Sequence, residues 1–98
     1  MNYEQDVKEI REDFIKSHFP ESYQKMTEDN TLFEYLTKIE SEYYERVEEI
    51  YDELFSQYLR NKKESIFLKK VERLSKEVEL EILAKDKAAE EILFKETL

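Results

Sequence analysis

The chain is predicted to be all-α: a small helical bundle, built on a long antiparallel helical hairpin with the N-terminal helices packed across it. Three observations lead there. Gly is absent and Pro occurs once among 98 residues, which removes the positive-φ turns that β-hairpins rely on. Apolar residues make up 40 % and recur at helical spacing. No cysteine is present to staple a loop-rich fold. Ninety-eight residues suit a single domain spanning 1–98 with one modest core.

The elements follow in order. From Tyr3 to about Phe19, Val7, Ile10, Phe14 and Ile15 share a helical face. Pro20 ends this segment or opens a short second helix, with Tyr23 and Met26 as apolar contacts. Asp29-Asn30-Thr31 is the clearest turn. Asn30 can take the left-handed conformation that closes a helix, and Thr31 with Glu34 three positions on has the capping-box pattern. Leu32 to about Leu59 then runs without a breaker. Its inner face is Leu36, Ile39, Tyr43, Val47, Ile50 and Leu54. Tyr44, Tyr51, Phe55 and Tyr58 widen the apolar arc to about 200°. The polar run Arg60-Asn61-Lys62-Lys63-Glu64 marks the bend, and Phe67, Val71, Leu74, Val78 and Ile82 describe the fourth helix. Ala88, Ala89, Ile92 and Leu93 either continue that helix or form a short one after Lys85-Asp86.

Charge is divided unevenly along this frame. The chain holds 25 acidic and 16 basic residues, a net −9. Residues 1–59 carry a balance of −10, residues 60–76 carry +5 and residues 77–98 carry −4. Seven acidic residues fall within the fourteen positions from Glu40 to Glu53. Glu42, Glu45, Glu49 and Asp52 step by three or four and so form one stripe, with Glu48 and Glu53 beside it. Such a stripe is either a solvated helix back or a negatively charged docking surface. In a hairpin bent near residue 62, Asp52 falls level with Arg73 and Glu49 with Lys76. Glu42, Glu45 and Glu48 are left without partners.

Several functions are disfavoured. With neither cysteine nor a second histidine beside His18, a zinc site is disfavoured, and no Glu-x-x-His metal motif occurs. A lone histidine next to a helix end gives no ground for a Ser-His-Asp arrangement. The expectation is a non-enzyme with no cofactor and no metal. The first residues lack an apolar run and no stretch reaches the ~20 apolar residues of a membrane span. A cytoplasmic protein with no membrane contact is expected. The net negative charge repels nucleic acid, so direct nucleic-acid binding is not expected and a charged partner should be basic. Tyr44, Tyr51 and Tyr58 repeat every seven residues. They could form a core margin, a homodimer contact or the seat of a partner helix.

The stretch Ile10-Arg11-x-x-Phe14-Ile15-Lys16-x-His18-x-Pro20-x-x-Tyr23, continued by Leu32-x-x-x-Leu36-x-x-Ile39-Glu40 to Glu45-Arg46, resembles the TnpV family. These are small proteins encoded on transposons and other mobile elements of Gram-positive bacteria. A second block, Ala89-Glu90-Glu91-Ile92-Leu93, is similar to the end of that family's pattern. A tryptophan that precedes this block in the family is missing, and a few extra residues lie between the blocks. The resemblance implies a mobile-element cargo or accessory protein. Mobile elements also carry small acidic inhibitors of host nucleic-acid enzymes, among them anti-CRISPR proteins directed at Cas9. The expectation is therefore an inhibitor that docks on a basic nucleic-acid-binding surface, such as Cas9 or its guide-RNA loading groove. Glu42, Glu45, Glu48, Glu49 and Asp52 would supply the charge, with Tyr44 and Tyr51 as anchors. The alternative is a transposition accessory that contacts DNA or a recombinase through the basic segment Lys62 to Lys76.

Overall fold

The computed structural model describes residues 6–61 and 70–98, with side chains over 6–60 and 75–98. Four α-helices account for most of it: α1 (Val7–His18), α2 (Pro20–Glu28), α3 (Leu32–Asn61) and α4 (Lys70–Ala88), with a π-helical turn at Ala89–Leu93. No strand occurs among the described residues, and the fold is all-α. Its extents of 59 × 29 × 19 Å and radius of gyration of 17.6 Å describe a rod. A compact domain of this length would have a radius of about 13 Å. The rod follows from α3, whose 30 residues span about 45 Å at ~1.5 Å per residue.

Asp6 opens α1 by accepting the Lys8 backbone N–H on its carboxylate at 3.0 Å. Pro20 sits in the first turn of α2, where a missing N–H leaves nothing unpaired. Asn30 has φ of 59° and is the one positive-φ residue among those described, as the turn reading requires. The capping box does not form: the Thr31 hydroxyl instead turns back to donate to the Met26 carbonyl at 3.5 Å. Because left-handed backbone strains a Cβ-branched residue most, Asn30→Val should lower stability by about 1–2 kcal/mol. Asn30→Gly should leave stability level or slightly raised. Urea denaturation of the two variants checks this ranking.

The inner face of α3 is the one its periodicity predicts. Leu36, Ile39, Tyr43 and Ile50 are buried, and Val47 and Leu54 pack partly buried against the same core. Val7 and Ile15 of α1 enter the core beside them. Tyr23 of α2 ties back to α1 by donating its phenolic O–H to Glu12 at 2.9 Å. That hydrogen bond raises the Tyr23 pKa above its ordinary value.

The fourth helix corrects the sequence expectation. Val78 and Ile82, two of the apolar positions that describe the helix, are 57 % and 55 % exposed. The buried stripe is Leu80, Ala84 and Ala88, roughly on the opposite side at ~100° per residue. Ala84 and Ala88 join the cluster of Ile39, Tyr43 and Ile50, and small side chains at a helix contact permit a shorter interaxial distance than Val or Ile would. Phe67 lies outside the described residues, as do the side chains of Val71 and Leu74.

Contacts between α3 and α4 run in opposite order along the two helices. Tyr58 lies beside Lys76, Val47 and Tyr51 beside Val78, and Arg46 beside Glu91 of the π-helical turn that follows α4. The expected bend at Lys62-Lys63-Glu64 falls outside the described residues. Of the two options for the last apolar residues, continuation is the one seen, with a wider turn. The Phe94 N–H donates to the Ala89 carbonyl at 3.0 Å, five positions back. That extra residue brings Leu93 into the core on the Ala84–Ala88 side.

Candidate functional site

Two sites stand out: one holds the fold together, and the other presents charge. The first is Arg11, which is 0 % exposed in the middle of α1. Its Nε and Nη2 both donate to the Tyr35 hydroxyl, at 2.9 and 2.8 Å. Nη1 donates to the carbonyls of Leu93 (3.1 Å) and Lys95 (2.8 Å), and Nη2 to that of Thr97 (2.8 Å). All five N–H donors of a guanidinium are thereby used. The Phe14 and Tyr35 rings lie 5.3 and 5.8 Å from its central carbon.

No carboxylate pairs with Arg11 among the described residues. Neutral dipoles carry its solvation instead. The Leu93 carbonyl is one of the orphan acceptors at a helix end, where a cation is also favoured by the helix dipole. Sequence reasoning placed Arg11 only inside a motif and gave it no role. Its position beside Ile10 on an otherwise apolar face was the available signal.

The acidic stripe divides into three parts. Glu42 is not free as expected: its Oε1 lies 3.7 Å from Lys95 Nζ, on the segment that Arg11 holds. Glu45, Glu49 and Asp52 are exposed on the back of α3, with Glu49 pairing loosely to Arg46 at 3.5 Å. Glu48 turns toward α4. There, with Val47, Tyr51, Glu77, Val78 and Glu81, it lines an open groove of about 410 Å³.

The expected pairing across the two long helices is also corrected. Lys76 does not reach Glu49; it pairs with Glu79 at 3.4 Å and lies 5.6 Å from the centre of the Tyr58 ring. Helix order therefore sets Lys76 level with Tyr58, about two and a half turns beyond Glu49. The Arg73 side chain, and with it the Asp52–Arg73 pairing, lies outside the described residues. Arg46 occupies the stripe's flank, donating from Nε to Glu91 at 3.1 Å. This hydrogen bond, above all, raises its pKa still further, so it stays cationic.

The tyrosines differ in their surroundings. Tyr44 is 54 % exposed and meets Tyr43 edge-on at 5.2 Å. Tyr51 stacks on Phe55 at 5.8 Å, and Tyr58 packs against Phe55 at 6.1 Å and beneath Lys76. His18 stacks on Phe14 at 4.1 Å, and its Nδ1 lies 3.0 Å from the Phe14 carbonyl. Among the described residues no group of three or more His, Cys, Asp or Glu side chains is placed to hold a metal. No described helix is long and apolar enough to cross a membrane.

No protein-family model, no curated protein and no solved structure matches the chain.

Proposed function

We propose that this chain is a non-enzymatic binding protein whose charged back of α3 docks on a basic, nucleic-acid-binding surface of a partner protein. The observation that carries this reading is the exposed set Glu45, Glu49 and Asp52 on a continuous 30-residue helix. A rigid helix holds these carboxylates about 6 and 4.5 Å apart along its axis, at ~1.5 Å rise per residue. Such a line of negative charge suits a Lys/Arg-rich channel that normally holds the phosphates of nucleic acid. With the resemblance to mobile-element proteins, an inhibitor of a host defence nuclease such as Cas9 is the reading adopted, blocking guide-RNA loading or target-DNA entry.

The test is capture of purified Cas9, with and without guide RNA, by the wild-type chain and by a Glu45→Lys, Glu49→Lys, Asp52→Lys variant. Wild type should bind with an affinity that falls steeply as salt rises. The variant should lose about a hundredfold or more while keeping its helical circular dichroism. Equal binding by the variant removes the reading. Retardation of duplex DNA by the chain would replace it with the DNA-contacting alternative. The basic segment Lys62 to Lys76 that would serve that alternative lies mostly outside the described side chains.

A further inference from the structure

The α3–α4 groove adds something that a purely acidic face lacks. Its floor is apolar, made by Val47, Tyr51 and Val78, and its margins carry Glu48, Glu77 and Glu81. Val78 is 57 % exposed, and Ile82, one turn further along α4, is 55 % exposed. Both belong to the stripe that periodicity marks as a packing face, yet no described element covers it. The groove thus offers an apolar floor with a charged rim, the arrangement of polar margin around apolar centre that protein interfaces use.

We infer that this groove receives a cationic amphipathic helix, which seats a large apolar side chain on Val47, Tyr51 and Val78 and sets Lys or Arg residues against Glu48 and Glu81. Charge complementarity selects this occupant. A second copy of the chain would bring the same glutamates against one another, and like charges at an interface oppose association. Nucleic acid and anionic lipid are repelled for the same reason. A small apolar ligand would be left largely in water in a groove open along its length, whereas small-molecule sites enclose most of the ligand. A helix can lay its apolar side along such a groove and keep its charged flanks at the margins. Glu48 supplies the clearest contact: it makes no ion pair among the described residues, whereas Glu81 is held by Lys85 at 3.4 Å.

The inference deepens the proposed function by giving the basic partner an apolar anchor, and it rests on that reading. Two probes separate them: a synthetic Leu/Lys amphipathic helix, and oligolysine of equal charge with no apolar residue. Fluorescence anisotropy should show the wild-type chain binding the amphipathic helix at least about tenfold more tightly than oligolysine, a gap of one affinity decade. Val78→Asn should close that gap and leave oligolysine binding unchanged. Amide shifts in NMR spectra should centre on Val47, Tyr51 and Val78.

Equal affinity for the two probes overturns the groove while leaving the acidic reading in place. Binding of neither probe overturns both. If sedimentation shows a dimer that Val78→Asn dissolves, a second copy is the occupant and the cationic helix is excluded.

Discussion

Replacing Arg11 with alanine should destabilise the fold by about 3 kcal/mol or more, a large fraction of the ~5–15 kcal/mol available to a small domain. The substitution removes all five hydrogen bonds at once and leaves the carbonyls of Leu93, Lys95 and Thr97 without their donor. Each unsatisfied buried acceptor costs about 1–3 kcal/mol, less where water can reach it. The space left by the guanidinium adds a packing loss beside Phe14 and Tyr35. Arg11→Lys should recover only a fraction, since an ammonium has three donors and no planar fork. Urea denaturation gives the stability, and limited proteolysis should show cleavage within 94–98 before global unfolding. A loss below about 1 kcal/mol in Arg11→Ala would mean that the carbonyl cradle is incidental.

The second large effect separates the two apolar stripes of α4. Ala84→Lys should cost more than about 4 kcal/mol, because Ala84 is fully buried and a lysine there must strand a charge or push α3 and α4 apart. Ile82→Lys, two residues earlier, should change stability by about 0.5 kcal/mol or less, since Ile82 is more than half exposed. Thermal melts of the two variants decide the matter. The reverse order would put Val78 and Ile82 in the core and remove the groove with them.

Which parts of this were legible in the sequence depends on what kind of information each needs. The all-α class and the inner face of α3 could be read because Leu36, Ile39, Tyr43 and Ile50 are large, apolar and regularly spaced. Asn30 could be read because a backbone preference is local to one residue. The packing face of α4 could not. That helix carries two apolar stripes, and periodicity finds stripes without saying which one meets the core. Ala84 and Ala88 weigh little in a hydrophobic pattern, although their small size is what permits close approach. The wide turn at Ala89–Leu93 adds one residue to the count, which carries Leu93 into the core where a regular helix would have turned it away.

The candidate site was readable in the same uneven way. The exposure of Glu45, Glu49 and Asp52 follows from being opposite the inner face of α3. The loss of Glu42 to Lys95 depends on a chain segment more than fifty positions away that no local pattern could bring there. The groove at Glu48 and Tyr51 needed the correct rotation of α4. Arg11 needed a cradle of carbonyls whose positions exist only once the helices have docked.

That cradle has a kinetic meaning. The carbonyls that Arg11 grips lie 82, 84 and 86 positions along the chain, whereas helical proteins owe their speed of folding to contacts between near neighbours. Closing so long a loop carries its full entropic penalty before any of these bonds is made. Arg11→Ala is therefore expected to speed unfolding more than it slows folding, which stopped-flow urea chevrons of the two chains would read. In the folded molecule a single side chain thus ties α1 to the segment that follows the π-helical turn.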